Sequence, residues 1–247
     1  MTISVMTVYL SILVGITLLT LVSHVIITVR ADGKRLHGYF SIMCLMAMLY
    51  TFFTMLEYQT QDILLYINYI RVQVLTISFF MTATVLFTIA YTKTRLDTHG
   101  KIFIVLVNLF MISRALHPAT LTIANLKGMI PHVLPWNEII YLAWTDMTHW
   151  VFVYYFFVLW FFVYIFFLLW KGYRKGQREE SISMFIAMII LMCTSINDMF
   201  TAALNLEWVY LMETGYVAII MVMGNQLFRD ILRLPETENK LRDLQAQ

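Results

Sequence analysis

Apolar residues crowd into seven stretches along the chain, 5–28, 39–56, 63–91, 102–122, 149–170, 182–204 and 209–228, with polar and charged residues gathered between them. Each stretch comes close to the roughly 20 residues that carry a helix across a bilayer at about 1.5 Å per residue. Continuous apolarity without alternation predicts buried or lipid-facing helices and no strands. The expected fold is an all-α membrane protein, a seven-transmembrane-helix bundle. The first stretch has no basic start and no small-residue cleavage site, so it reads as a retained helix rather than a signal peptide.

Composition agrees: 60% of the 247 residues are hydrophobic and 13% charged, more apolar surface than a soluble core of this length could hide. The basic residues fix an expected orientation. Arg30, Lys34 and Arg35 lie between the first two stretches, Lys93, Arg95 and Lys101 between the third and fourth, and Lys171, Arg174, Lys175 and Arg178 between the fifth and sixth. Arg229, Arg233, Lys240 and Arg242 follow the seventh. By the positive-inside rule this side is cytoplasmic, which places the N-terminus outside and the C-terminus inside. The other side carries Glu57, Asp62, Glu138, Asp146 and Glu207, with Trp136, Trp144, Trp150 and Trp208 as an interfacial aromatic belt. Basic residues scattered over four short segments form no continuous patch, which argues against nucleic acid as a partner.

Most connections are short. The segment 123–148 is longer, and Gly128, Pro131 and Pro135 interrupt any helix there, while 139–144 returns to apolar character. A lid over the bundle and a plain connector are both consistent with it. After the seventh stretch, Pro235 followed by Glu236 and Glu238 reads as a fresh helix start, and Leu234, Leu241 and Leu244 suit a coiled-coil seam. The expected division is therefore a membrane domain over 1–234 and a cytoplasmic signalling helix or linker over 235–247. Cys44 and Cys193 both fall inside spans as small packing residues.

Candidate chemistry rests on four ionisable residues inside the spans: Arg71, Arg114, Asp198 and Glu213. Such groups cost upward of about 2.5–3.5 kcal/mol each in a bilayer, so they call for a partner or a task. Counted from the outer ends of their stretches, Arg71 and Arg114 lie about 12 Å deep, Asp198 about 9 Å and Glu213 about 7 Å. Two readings stay open: an ion-pair network that packs the bundle, and a polar pocket open to the outside in which the guanidinium groups would hold a carboxylate or phosphate. Asn68, Arg71, Ser78 and Thr82 share one face of the third stretch. Asn197 adjoins Asp198, and Tyr210 lies near Glu213. With Trp144 these complete the candidate ligand-binding set: Arg71, Arg114, Asp198, Glu213, Asn68, Asn197, Trp144 and Tyr210. A weaker metal set is His117, Asp146 and His149, in which Asp146 and His149 are spaced i, i+3. His24 reads as a neutral packing histidine bonded to a neighbour. No cofactor is called for.

Several segments carry a resemblance. Residues 37–57 (HGYFSIMCLMAMLYTFFTMLE) and 67–92 (INYIRVQVLTISFFMTATVLFTIAYT) resemble the first half of the N-terminal seven-helix sensor region of bacterial histidine kinases. Residues 113–117 (SRALH) and 144–155 (WTDMTHWVFVYY) are similar to that family's stretches around the outer loop, and 197–234 to its last span. The resemblance implies a non-enzymatic sensor in the bacterial inner membrane, with a pocket formed by the spans and a last helix that leads to a cytoplasmic output domain or protein. Its partners would be a small-molecule ligand, the bilayer and that output, and a homodimer is compatible. Other classes remain as alternatives: an intramembrane zinc-dependent hydrolase using His117, Asp146 and His149, or a small-solute transporter. A retinal protein would need a lysine in the last span, and 209–228 has none.

Overall fold

The computed structural model describes residues 4–30, 34–117, 121–204 and 208–245. Seven helices and one hairpin follow in order: α1 (Val5–Arg30), α2 (Lys34–Gln59), α3 (Ile63–Tyr91), α4 (Thr98–Leu116), β1 (Ile123–Val133), β2 (Ile139–Met147), α5 (Trp150–Arg174), α6 (Arg178–Leu204) and α7 (Met212–Gln245). Six of them, α1 to α6, are long and apolar enough to cross a membrane.

Helix ends fall where the sequence supplies caps. The Asp62 carboxylate accepts from the Leu64 and Leu65 N–H groups at 2.8 and 3.3 Å and starts α3. Asp97 starts α4 by accepting from the Gly100 N–H at 3.0 Å. It also accepts from Tyr164 Oη at 2.9 Å and pairs with Lys171 Nζ at 3.3 Å. Burial pushes the Asp97 carboxyl up, and these donors outweigh it and hold it below its ordinary value. Gly176, at φ 94°, ends α5: the Gln177 N–H reaches back to the Gly172 carbonyl at 3.1 Å and the Gly176 N–H to that of Tyr173 at 3.2 Å.

Neighbours in sequence pack as neighbours in space, and α7 closes the bundle against α1, α2 and α6. The central helix is α3, most of whose length is buried, whereas α1 is largely exposed toward the lipid position. The core joins Phe40 and Met43 of α2, Phe80 and Phe87 of α3, Phe103 and Met111 of α4, Phe161 and Ile165 of α5, Met184 of α6, and Tyr216 and Met223 of α7. The aromatic α5 is two-sided, with Phe157, Phe161 and Phe162 buried and Phe152, Phe156 and Trp170 exposed toward the lipid position. Cys44 is buried, Cys193 is exposed and both are free.

Three expectations are corrected. The all-α reading gives way at residues 123–147 to an antiparallel hairpin, with Val133 opposite Ile139 and Ile130 opposite Leu142. The sequence holds the reason: Pro135 opens a turn in which the Asn137 N–H bonds the Leu134 carbonyl at 2.8 Å. Asn137 itself is left-handed at φ 63°, and the Leu134 N–H closes onto Glu138. Gly128, at φ 145°, sits at one of two register shifts, and Pro131 is tolerated because β1 pairs on one edge only. Secondly, α4 ends at Leu116 rather than at residue 122, so Arg114 lies about 3 Å from the end of its helix and not about 12 Å deep. Thirdly, α7 runs unbroken through Pro235, where a new helix start was expected. The seam expected of Leu234, Leu241 and Leu244 lies outside the described side chains, and Glu207 lies outside the described residues.

Candidate functional site

The hairpin sits over one end of the bundle, here the hairpin end. Its turn is anchored on α1, where the Glu138 carboxylate accepts from Ser4 Oγ, from the Met6 N–H at 3.1 Å and from Trp136 Nε1 at 2.6 Å. Burial pushes the Glu138 carboxyl up, and these donors prevail and hold it below its ordinary value. A carboxylate at the N-terminus of α1 also meets the positive end of that helix. Leu134 and Ile140 of the hairpin pack beneath it with Met6, Leu10, Tyr58 and Val217. On the other side, His132 Nε2 lies 3.3 Å from the Trp208 carbonyl.

Beneath this roof lies a cavity of about 620 Å³ between α2, α3, α6 and α7. Its walls carry three carboxylates, Glu57 of α2, Asp198 of α6 and Glu213 in the first turn of α7. Glu57 is 8% exposed and Glu213 3%. Gln73 Nε2 donates to Glu57 Oε2 at 2.7 Å and to Thr54 Oγ1 at 3.1 Å, which holds α2 against α3. Asp198 accepts from the Leu211 N–H at 2.6 Å and the Met212 N–H at 2.9 Å, so α6 supplies the cap for α7. Tyr50, Tyr58, Tyr66 and Tyr210 complete the polar wall, and Trp144 and Asp146 stand on the hairpin side.

The structure therefore gathers part of the expected set. Asp198, Glu213, Tyr210 and Trp144 line the cavity; Arg71, Arg114, Asn68 and Asn197 do not. Arg71 bridges α3 to the end of α4, donating from Nη1 to Asn68 Oδ1 at 3.0 Å and from Nη2 to the His117 carbonyl at 3.1 Å. Arg114 donates from Nε to Thr122 Oγ1 at 3.1 Å and lies over the Tyr154 ring at 4.9 Å. Asn197 donates to the Val209 carbonyl and to Asp198, both at 3.0 Å. Ser78 and Thr82, read as part of a pocket stripe, instead meet Asn108 of α4 at 2.8 Å each.

The metal set does not assemble. Among the described residues no group of three His, Cys, Asp or Glu side chains could hold a metal ion. Asp146 is occupied by Lys127 Nζ at 2.6 Å, and that bond, with one from Asn125, holds its carboxyl below the ordinary value. His24 does have a histidine neighbour: its Nδ1 lies 3.0 Å from that of His37, at the opposite end of the bundle.

Sequence reasoning missed Glu57, Gln73, Tyr50, Tyr58 and Tyr66. The signal was present: Tyr50, Thr54, Glu57 and Tyr58 repeat at helical spacing on one face of α2, and Tyr66 and Gln73 lie two turns apart on α3. By sequence Glu57 counts only among the acidic residues of the outer side, because it falls just past the end of the second apolar stretch.

Seven helices, six with the length and apolarity of membrane spans, define a multi-pass membrane protein. A family model described as the N-terminal 7TM region of histidine kinase matches residues 6–231. The chain belongs to that family, a sensor region of histidine kinases. No curated protein and no solved structure matches it.

Proposed function

We propose that the chain senses a small ligand at the outer face of the bacterial inner membrane, in the cavity beneath the hairpin, and passes occupancy through α7 to a cytoplasmic output. The observation that carries this reading is the position of Asp198 and Glu213. Both line the cavity, one caps α7 and the other lies in its first turn, so anything that contacts them acts on the start of a 34-residue helix leading to the far end of the bundle. Orientation follows from charge. Arg35, Lys93, Arg95, Lys101, Lys171, Arg174, Lys175 and Arg229 cluster at the end away from the hairpin, which the positive-inside rule makes cytoplasmic. Residues 1–234 form the sensing unit and 235–247 the linker to the output. Ligand contacts would reweight two packings of α6 and α7.

The test needs no known ligand. Ala202, which lines the cavity, is changed to cysteine in a Cys44→Ala/Cys193→Ala background, with a reporter kinase fused after Gln247. Whole cells are treated with a membrane-impermeant methanethiosulfonate reagent. Labelling from outside should change kinase output. Labelling only after the cells are opened overturns the orientation, and external labelling without a change in output overturns the coupling to α7.

A further inference from the structure

We infer that the cavity is built for a small organic cation, an ammonium or guanidinium compound, and not for the carboxylate or phosphate that two intramembrane arginines suggest. The inference rests on the reading of the cavity as a ligand site and names the class of its occupant.

Charge is the first argument. Glu57, Asp198 and Glu213 line the cavity, and among its described lining residues there is no Lys or Arg. Arg71 and Arg114 are engaged between α3, α4 and α5, and neither reaches the wall. An anion placed there would face three carboxylates, and the cation at the rim, Lys127, is held by Asp146 at 2.6 Å and lies over the Trp144 ring. The titratable hairpin residue His132 is turned to the Trp208 carbonyl, and Asp146 at the rim is already paired with Lys127, so the net negative charge comes from Glu57, Asp198 and Glu213.

Burial is the second. Glu57 and Glu213 are each more than nine-tenths buried, so in the folded protein the cavity is the route by which a ligand's N–H groups reach them. Carboxylates accept and cannot donate once ionised, and an ammonium or guanidinium donates and cannot accept. The match is therefore of hydrogen-bond direction as well as charge.

Size and side-chain placement favour an organic cation over a bare metal ion. No three described carboxylate, imidazole or thiol groups converge as metal ligands would, so the acids are spread over the wall. A volume of about 620 Å³ falls in the range of small-molecule sites, roughly 300–1,000 Å³. Tyr58, Tyr66 and Tyr210 add aromatic side chains to that wall, and an aromatic ring attracts a cation through its quadrupole.

The purified full chain in nanodiscs is titrated with agmatine and with spermidine, and in parallel with succinate and with 1,4-butanediol, while the thermal midpoint and tryptophan fluorescence are followed. At least one of the two cations should raise the midpoint saturably, and succinate and butanediol should not. Glu213→Gln should weaken that cation by about tenfold or more, the loss of one charge-assisted hydrogen bond. Glu179→Gln, at the far end of α6, should leave it unchanged. Should Glu213→Gln fail to fold, Ala202→Trp fills the cavity while keeping every carboxylate, and should abolish the shift. No saturable response to either cation overturns the proposal, as does a response to succinate instead or one equally strong in the variants. If cysteine labelling at position 202 still drives the fused kinase in that case, the sensing role stands and only the ligand class falls; if neither responds, both fall.

Discussion

Replacing Gly215 by alanine tests the α6–α7 contact directly beside the cavity. A methyl group built there falls well inside contact distance of Thr194 Oγ1, 3.1 Å from Leu191 Cδ1 and 3.2 Å from Thr194 Cβ. Carbon pairs settle at about 3.5–4.0 Å, so the helices must part by several tenths of an ångström or Thr194 must turn. Turning it breaks the bond from its hydroxyl to the Leu191 carbonyl at 2.9 Å, worth about 0.5–1.5 kcal/mol. Overpacking of this kind costs about 1–3 kcal/mol, and alanine returns about 0.8–1.0 kcal/mol of helix propensity. The propensity gain is isolated by Gly15→Ala in α1, where nothing lies within 4 Å of the new methyl. The two variants should therefore differ by about 1–3 kcal/mol in SDS-induced unfolding from mixed micelles, with Gly215→Ala the less stable. Thr194→Ala should recover part of the loss in the double variant, because the two positions share one contact. Equal stabilities for Gly15→Ala and Gly215→Ala, or strict additivity with Thr194→Ala, would refute the tight approach of α6 and α7.

The hairpin anchor predicts a pH dependence. The Glu138 carboxyl is held below its ordinary value of about 4.3, so its stabilising effect is complete above that pH and is lost as the pH falls through the lowered value. Amide protection in the hairpin should decline in that acidic window, and Glu138→Gln should show reduced protection at neutral pH with the acidic decline removed; an unchanged acidic decline in Glu138→Gln would exclude this carboxylate. Asn108 predicts a packing effect: Asn108→Leu removes its bonds to Ser78 and Thr82 and should cost about 0.6–2 kcal/mol in the same unfolding assay, with a neutral result ruling out the clamp between α3 and α4.

Long apolar runs made the helices legible, since crossing hydrocarbon demands length and uniformity that few other structures need. The start of α3 was fixed by Asp62 and its end by the polar Thr92-Lys93-Thr94 step. The end of α4 was misread because Leu121 and Ile123 continue the apolar pattern past Pro118. The hairpin was hidden by register shifts beside Asn125 and Gly128, which break the period of two on which strand recognition depends. Depth along a helix is readable for Asp198, six residues before the end of α6, but not for Glu213, because α7 begins at Met212 and leaves Glu213 one residue inside it rather than about 7 Å deep. Rotation about the helix axis is not readable either, and rotation decides which neighbour a charge meets. Arg71 and Arg114 turn to the ends of α4 and to Tyr154, a destination set by helix packing rather than by spacing.

Asp198 also limits how α7 can move. Its carboxylate grips the Leu211 and Met212 amides at 2.6 and 2.9 Å, and axial sliding by one residue, about 1.5 Å, would strain both bonds toward breaking. Swinging α7 about the same point leaves them intact. A helix of 34 residues is about 51 Å long, so a five-degree swing about that fulcrum displaces its distal tip by about 4 Å. For the proposed signalling through α7, this restraint favours a lever over a piston, small in its motion at the mouth and largest at the distal end of the helix.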